Sequence, residues 1–430
     1  MMKAKVITLG CKVNQYESEA MLSSLLQHGF AAAEDKETAD VVILNSCTVT
    51  AESDRKVRQI FRRAKKDNPD AVMVLTGCMA QAFPEDARRL EEADIILGTS
   101  NRKRLMPDLL AFLSARQRII DIAPHTNDEK FENLNVENFT GRTRAFVKIE
   151  DGCNRFCSYC IIPYARGRVR SKPLEDLKAE LAGLGANGYK EVVLTGINLS
   201  AYGQEFGLHL CDAIEAACAT PGIERVRLGS LEPEQLSEDV IRRMAKQKKL
   251  CPQFHLSLQS GCDATLKRMN RHYTADEYRT IVRNLRAAFE NAAITTDIMV
   301  GFAGETDEEF AESLAFAEEI AFAKVHVFAY SRRPGTRAYD MGDQLTNAVK
   351  EARSHEMIRV TTATQQAFFK AQIGRTEEVL FEREIQKGVW EGYSMNYTPV
   401  AVASGTSLAG EIRAVRIESC TDTHCMGVVL

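Results

Sequence analysis

The middle of the chain holds three closely spaced cysteines, Cys153, Cys157 and Cys160, in the pattern C-x3-C-x2-C. Thiolates this close in sequence can bind one soft-metal centre, and thiolate ligands select zinc, copper(I) or iron–sulfur clusters. A closed structural zinc site usually takes a fourth nearby ligand, yet no histidine or cysteine follows Cys160 until His209. A 4Fe–4S cluster held by three cysteines instead leaves one iron open. The pattern therefore favours such a cluster over three buried structural thiols, and we call these residues the central cysteines.

Three further cysteines, Cys11, Cys47 and Cys78, each follow a short apolar run in the first third of the chain. Four such runs, rich in β-branched residues, occupy residues 5–9, 41–44, 71–75 and 95–97. Helical-period stretches separate them, which predicts a small parallel α/β sheet with helices on both faces. Any one of these cysteines alone is more simply a buried core residue. Because the carboxyl ends of parallel strands face one crevice, the three are expected to meet as a second cluster site, and we call them the N-terminal cysteines.

A second series of strand-like runs alternates with helical segments and begins just before the central cysteines. The runs occupy residues 145–149, 191–194, 225–228, 254–258, 294–300 and 325–328. Six β/α units predict a partial (β/α)6 barrel, with chemistry at the carboxyl ends of its strands. Polar side chains and glycines at those ends, above all Thr195, Gly196, Ser257 and Asp297, can hold amino, carboxylate or ribose groups.

The pattern changes near the C-terminus, after a helix predicted from Thr361 to about Ile373. Short strands at residues 377–384, 392–402 and 410–418 predict a small antiparallel β-barrel. Aromatic and basic side chains there suit single-stranded nucleic acid, although the tyrosines suit a barrel core equally well. They are Tyr393, Tyr397, Lys387, Arg413 and Arg416. Cys420, His424 and Cys425 make an incomplete metal-ligand set and are left unassigned.

Length and composition describe an ordinary globular protein of two or three domains. We expect domains at residues 1–122, 139–369 and 371–430, with a linker that lacks clear periodicity at residues 123–140. No apolar run is long enough to span a bilayer. The N-terminal segment is predicted to form a strand rather than a signal peptide, so we expect a cytoplasmic protein. Twelve cysteines in a cytoplasmic chain indicate metal binding or catalysis rather than disulfides.

The formal net charge of −4 conceals two basic stretches. Residues 54–66 carry seven basic side chains against one acidic one, and residues 142–172 carry eight against two. A solvated helix face is the plain interpretation of either stretch alone. Two of them, one around the central cysteines, favour a phosphate-rich partner.

These features together resemble a known family. The central-cysteine motif after the first strand of a six-unit barrel resembles that of radical S-adenosylmethionine enzymes. The N-terminal cysteines and a terminal barrel of the TRAM type resemble the methylthiotransferases among them, over essentially the whole chain. Residues 8–19 (TLGCKVNQYESE), 45–50 (NSCTVT) and 160–167 (CIIPYARG) are similar to the MtaB branch, for which Lys12 to Gln15 is the strongest marker. One departure, Ala303 where relatives usually carry proline, relaxes a loop and affects no ligand.

The resemblance implies a function and a cofactor set. The branch adds a methylthio group to carbon 2 of N6-threonylcarbamoyladenosine at tRNA position 37. The central cysteines would hold a 4Fe–4S cluster whose open iron binds S-adenosylmethionine and yields a 5′-deoxyadenosyl radical. The N-terminal cysteines would hold a second 4Fe–4S cluster that carries the inserted sulfur, and a second S-adenosylmethionine would donate the methyl group. Expected S-adenosylmethionine contacts are Thr195, Gly196, Ser257 and Asp297.

The same resemblance implies binding partners and leaves alternative functions to consider. We expect the tRNA anticodon stem-loop and an electron donor such as flavodoxin or ferredoxin, whereas the sulfur donor is not indicated. Sister branches act on isopentenyladenosine in tRNA or on an aspartate of a ribosomal protein. A different class of protein, a tRNA-binding redox or iron sensor with the same clusters, is disfavoured by the two open cluster sites and the polar barrel rim.

Overall fold

The computed structural model describes residues 1–34, 36–134, 136, 139 and 141–430. The first unit is a parallel sheet of six strands with five helices. Its strands are β1 (Lys3–Thr8), β2 (Ala31–Ala32), β3 (Val41–Ser46), β4 (Val72–Gly77), β5 (Ile95–Leu97) and β6 (Ile119–Asp121). Its helices are α1 (Lys12–Gln27), α2 (Ala51–Asp67), α3 (Cys78–Ala82), α4 (Pro84–Arg88) and α5 (Leu105–Ala115).

The predicted sheet with helices on both faces is confirmed, with strand order β2-β1-β3-β4-β5-β6. Strands β3 and β4 are buried on both faces, as central parallel strands usually are. Val42 and Leu44 pack with the apolar side of α2, whereas Val41 and Ile43 pack with α1 and α5 on the other face. The short edge strands β2 and β6 were not predicted, since two or three residues carry too little periodicity.

The second unit is the predicted partial barrel with surrounding helices. Its strands are β7 (Arg144–Lys148), β8 (Glu150–Asp151), β9 (Arg170–Ser171), β10 (Glu191–Thr195), β11 (Arg225–Leu228), β12 (Ser230–Leu231), β13 (Gln253–Leu256), β14 (Ala293–Val300) and β15 (Lys324–Ala329). Its helices are α6 (Ile162–Arg166), α7 (Leu174–Ala186), α8 (Leu210–Ala219), α9 (Glu238–Ala245), α10 (Asp263–Arg268), α11 (Ala275–Ala288), α12 (Asp307–Ile320) and α13 (Asn347–Lys370).

The barrel wall consists of two parallel sheets, β7-β10-β11 and β12-β13-β14-β15. Strand β11 continues into β12 past Gly229, so the six predicted strands line the wall in chain order. Helices α11 and α12 begin with capping boxes in which Thr274 pairs with Glu277 and Thr306 pairs with Glu309. Such caps satisfy the free amide groups at the start of a helix and fix where each helix leaves its loop.

The C-terminal unit is a closed barrel of β16 (Thr376–Gln386), β17 (Val389–Ser394), β18 (Pro399–Ala403), β19 (Ile412–Cys420) and β20 (Cys425–Val429). The single strand predicted at residues 392–402 is wrong, because a turn divides it into β17 and β18. In that turn Ser394 N donates to Thr398 O over 3.1 Å, and Tyr397 has a φ of 69°. The helix predicted from Thr361 begins earlier, at Asn347 after the Thr346 cap.

The units pack directly on one another. Tyr16 and Ala20 of α1 belong to the same apolar core as the barrel. The C-terminal barrel is held by Arg227, whose Nη1 donates to Met395 O over 2.9 Å. The linker has no helix or strand in its described part, and residues 135, 137, 138 and 140 of it lie outside the described residues. No helix in the described part of the chain is long and apolar enough to cross a membrane.

Candidate functional site

The central cysteines lie on the loop between β8 and α6, at the mouth of the barrel. Gly152 opens this loop with a φ of 85°, and a Cβ there would lie 1.9 Å from Arg168 O, so only glycine fits. Cys153 N donates to Gly167 O over 3.0 Å, and Cys160 N donates to Cys157 O over 2.9 Å. Burial and then the neighbouring thiol of Cys157 raise the pKa of Cys160 to about 12. A positive charge bound at Cys160 would favour the thiolate form of this residue.

The N-terminal cysteines lie at the carboxyl ends of the adjacent strands β1, β3 and β4. Cys11 precedes α1, Cys47 follows β3, and Cys78 is the first residue of α3. A Cβ on Gly10 would lie 3.0 Å from Cys47 Cβ, which places the first two loops in contact. Burial raises the pKa of Cys78 to about 12, Arg166 opposes that rise, and the nearby thiols of Cys47 and Cys11 add to it. The sheet thus brings together three cysteines that are scattered in sequence.

Two buried arginines contact sulfur atoms of these sets. Arg166 Nε lies 3.3 Å from Cys78 Sγ, and Arg271 Nη1 lies 3.3 Å from Cys157 Sγ. Sequence reasoning missed both roles, because each arginine is far along the chain from its cysteine. Hydrogen bonds to cysteine sulfur are a usual feature of iron–sulfur sites, where they influence the reduction potential.

The donor sets fit iron–sulfur clusters. Each has three thiols and a cationic donor to one sulfur. Among the described residues, no three His, Cys, Asp or Glu side chains lie close enough to share a single metal ion. A 4Fe–4S cluster does not need that convergence, because each thiolate binds a different iron.

Two adjoining cavities are each lined by one residue of a cysteine set. The larger, of about 810 Å³, is lined by residues of all three units, among them Cys11, Lys12 and Asp297. The smaller, of about 250 Å³, is lined by Cys160 and by Thr50, which lies three residues after Cys47. Both cavities share Asp297 and Phe328, so Cys11 and Cys160 open onto neighbouring space.

Three of the four residues predicted to contact S-adenosylmethionine, Thr195, Gly196 and Asp297, line the larger cavity. Ser257 is not part of the described lining of either cavity, and its carbonyl accepts hydrogen bonds from Arg271 Nη2 and the Tyr273 hydroxyl. Asp297 lies within the apolar strand β14 and has His255 Nε2 at 3.5 Å from its Oδ2.

Two buried acceptors beside the central cysteines were not among the predicted S-adenosylmethionine contacts. Glu150 Oε2 accepts from Asn198 N over 2.6 Å, whereas Glu150 Oε1 and Asn198 Oδ1 have no partner within the described part of the chain. Asn198 Nδ2 lies 4.0 Å from Cys153 Sγ, and a Cβ on Gly196 would lie 2.7 Å from Glu150 Oε2. Burial raises the pKa of Glu150 well above its usual range. Unpartnered buried acceptors fit a ligand that donates amino or hydroxyl hydrogens.

The basic stretch at residues 142–172 is not the exposed phosphate-binding run that its composition suggested. Four of its eight basic side chains are buried, namely Lys148, Arg166, Arg170 and Lys172. They form internal ion pairs with acids such as Glu17, Asp151 and Glu180. Although burial alone would raise it, Arg102, Arg166 and Lys148 lower the pKa of Glu17 to about 2. The stretch at residues 54–66 does present exposed arginines, on α2.

The tyrosines of the C-terminal barrel lie between domains. The rings of Tyr393 and Tyr397 stack at 4.6 Å, and the Arg144 guanidinium lies 5.1 Å from both ring centres. Both also line the larger cavity. Three basic side chains are exposed on the barrel surface, namely Lys387, Arg413 and Arg416. Cys420 and Cys425 lie opposite each other in the register of β19 and β20, and both are free thiols.

Comparison with known proteins agrees with this architecture. A family model described as Uncharacterized protein family UPF0004 matches residues 3–98, and one described as Radical SAM superfamily matches residues 147–317. The chain is similar to a solved structure of the radical S-adenosylmethionine methyltransferase TsrM from Kitasatospora setae. The TM-score is 0.58 at 14% identity, over 79% of this chain and 74% of that one, which is a likeness of fold.

Curated relatives match along nearly their whole length. Threonylcarbamoyladenosine tRNA methylthiotransferase MtaB of Bacillus subtilis is 36% identical, over 95% of this chain and 92% of the relative. The protein of the same name from Thermotoga maritima is 37% identical, over 98% and 96% respectively. A tRNA-2-methylthio-N(6)-dimethylallyladenosine synthase of Pelotomaculum thermopropionicum is 34% identical, over 100% and 98%.

These sequence matches cover nearly the whole of this chain and of both relatives, so they include all three units of the fold. Their names agree with the enzyme class that the two cysteine motifs predicted. The chain belongs to the radical S-adenosylmethionine methylthiotransferase family.

Proposed function

We propose that this protein converts N6-threonylcarbamoyladenosine in tRNA to its 2-methylthio derivative. The observation that supports the proposal is the pair of adjoining cavities, one lined by the N-terminal cysteine Cys11 and the other by the central cysteine Cys160. Sulfur insertion needs such an arrangement, because carbon activation and sulfur delivery must reach the same base. The names of relatives at 36 and 37% identity support the choice of threonylcarbamoyladenosine.

Membership of the family confirms the predicted cofactors, two 4Fe–4S clusters and S-adenosylmethionine. We propose that the central cysteines hold one cluster and the N-terminal cysteines the other. When bound, the first cluster and S-adenosylmethionine supply a radical able to remove hydrogen from an unactivated carbon such as carbon 2 of adenine. Thr195 and Asp297 orient the bound groups from the cavity wall, and Glu150 and Asn198 accept hydrogen bonds beside Cys153.

The division of labour follows the three units of the fold. Residues 1–122 would carry the sulfur-inserting site, residues 139–369 the radical site, and residues 371–430 a TRAM-type barrel that contacts RNA. Exposed arginines on α2, together with Lys387, Arg413 and Arg416, would meet phosphates of the anticodon stem-loop. An electron donor such as flavodoxin or ferredoxin would complete the system in the cytoplasm.

Nucleoside analysis of tRNA from a deletion strain tests the proposal. Digested tRNA from that strain should lack 2-methylthio-N6-threonylcarbamoyladenosine and accumulate its unthiolated precursor, as measured by mass spectrometry. Persistence of this nucleoside together with loss of 2-methylthio-isopentenyladenosine would show that the sister branch is the right one. Loss of neither nucleoside would overturn a tRNA substrate altogether.

Lys12 should recognise the substituent that distinguishes this substrate. The threonylcarbamoyl group ends in a carboxylate, whereas a dimethylallyl group is apolar. Lys12 lines the larger cavity next to Cys11, and its ammonium forms no hydrogen bond or ion pair within the described part of the chain. A charge-assisted hydrogen bond contributes about 1.5–3 kcal/mol, so Lys12→Ala should lower kcat/KM for a threonylcarbamoylated stem-loop by about 10- to 100-fold.

Two controls make this measurement specific. Binding of an unmodified stem-loop should be unchanged in Lys12→Ala, so that the variant loses the preference for the carboxylate-bearing RNA rather than RNA affinity in general. Lys387→Ala removes an exposed cation outside the cavity and should affect both RNAs alike. An equal loss for both RNAs in Lys12→Ala would contradict the assigned role.

A further inference from the structure

Arg166 connects the two cysteine sets. Helix α6 begins two residues after Cys160 and ends at Arg166, and a five-residue helix is only about 7.5 Å long. The Arg166 side chain is completely buried, and its Nε lies 3.3 Å from Cys78 Sγ. The peptide that follows the central cysteines therefore reaches directly to an N-terminal cysteine in another domain.

The rest of the guanidinium is fixed on all sides. Its Nη1 donates to Glu17 Oε1 over 2.6 Å and to Asp151 Oδ1 over 3.2 Å. Its Nη2 donates to Glu17 Oε2 over 3.0 Å and to Asn14 Oδ1 over 2.6 Å. A guanidinium that is hydrogen-bonded at every nitrogen has little freedom to rotate. Glu17 of the first unit and Asp151 of the second therefore fix the direction in which Nε points toward the sulfur.

Asn14 extends this connection to a second cysteine. Its Oδ1, which accepts from Arg166, lies 3.7 Å from Cys11 Sγ. Its Nδ2 donates to Leu9 O over 2.8 Å and to Ser46 O over 3.0 Å, the backbone just before Cys11 and Cys47. One hydrogen-bonded unit thus touches the loops of all three N-terminal cysteines.

We propose that Arg166 is a positioning residue that ties the sulfur-inserting cluster to the radical-cluster loop and sets its reduction potential. The inference rests on the proposed role of the N-terminal cysteines as cluster ligands. A buried cation donating to a ligand sulfur stabilises the more negative, reduced state of a cluster, which raises its potential. The same contact holds the two cluster sites in a fixed relative position, so that carbon activation and sulfur delivery can reach the same base.

Arg102 offers a matched control. It is buried in the same network, with Nη2 3.0 Å from Glu17 Oε2 and Nη1 3.3 Å from Glu132 Oε2. None of its described hydrogen bonds or ion pairs involves a cysteine. Changes at Arg102 therefore disturb the ion-pair network without removing a donor to sulfur.

The test uses full-length protein in which all three central cysteines are alanine, so that only the N-terminal cluster remains. Its potential is measured by redox titration followed by electron paramagnetic resonance. Arg166→Met should give a more negative potential and an altered spectrum, Arg166→Lys a smaller shift in the same direction, and Arg102→Lys none. In the enzyme with all cysteines, Arg166→Lys should slow methylthiolation by about 10-fold or more, the loss expected for a charge-assisted contact.

The outcomes separate the inference from the proposed function. An unchanged potential in Arg166→Lys, or an equal shift in Arg102→Lys, would overturn the role of Arg166 while leaving the cluster assignment intact. If Arg166→Met does not fold, the two lysine variants decide the question by themselves. Absence of any cluster in the triple-alanine protein with Arg166 intact would overturn the assignment of the N-terminal cysteines and this inference with it.

Discussion

Cys153→Ala is expected to form no 5′-deoxyadenosine above background after anaerobic reconstitution with dithionite and S-adenosylmethionine. Cys153 is one of the three central cysteines, and its Sγ accepts from Arg155 N over 3.4 Å within the loop. Without it only two protein thiolates remain for that cluster. Bound iron should fall by about half, because the N-terminal cysteines keep their own cluster. Chromatography with mass spectrometry measures the nucleoside, and a colorimetric assay measures the iron.

Cys211→Ala serves as the control for this loss. Cys211 is buried in α8 with its Sγ 3.9 Å from Val240 O, and it belongs to neither cysteine set. This variant should keep both its iron and its cleavage of S-adenosylmethionine. Wild-type production of 5′-deoxyadenosine by Cys153→Ala would show that the central cysteines do not hold the radical cluster.

Cys47→Ala should affect only one of the two half-reactions, the sulfur insertion. Its cleavage of S-adenosylmethionine should stay within about twofold of the wild type, because separate sites respond independently to mutation. Its yield of 2-methylthio product should fall to background, since one of the three ligands of the sulfur-inserting site is missing. Cys47 follows β3 and lies beside Gly10, in a different domain from the central cysteines. A threonylcarbamoylated stem-loop serves as substrate, and both products are measured in one reaction.

The two cysteine variants together distinguish the roles of the two cysteine sets. Cys153→Ala should lose both activities, whereas Cys47→Ala should lose only sulfur insertion. Equal loss of both activities in Cys47→Ala would contradict the division of labour between the two sites. A methylthio product from Cys47→Ala at the wild-type rate would exclude this cysteine as a necessary ligand.

Much of the fold could be predicted from local sequence. Strand runs and helical periods are properties of neighbouring residues, so the parallel sheet, the partial barrel and the closed terminal barrel are where they were expected. The errors have local causes too. The predicted strand at residues 392–402 contains a turn at residues 395–398 (MNYT), which has neither glycine nor proline to mark it. Helix α13 lacks a clear apolar stripe because it packs against more than one unit.

The two cysteine sets could be proposed from sequence, since the central set shares a spacing and the N-terminal set shares a position after strands. The sequence by itself indicated which thiols could meet, because strand ends follow from pattern and the carboxyl ends of parallel strands lie at one edge of a sheet. It could not show that Lys148, Arg166 and Arg170 are buried, since composition does not distinguish an exposed basic face from an internal ion-pair network.

Only the tertiary structure decided what surrounds the thiols. Arg166 is 88 residues from Cys78, and Arg271 is 114 residues from Cys157, so no local pattern links either pair. The cavity beside Cys11 likewise needs walls from all three units of the fold. The physical reason is that a buried charge is stable only beside partners brought from distant parts of the chain. The sequence therefore indicated the candidate ligands, and the packing of the domains determined their environment.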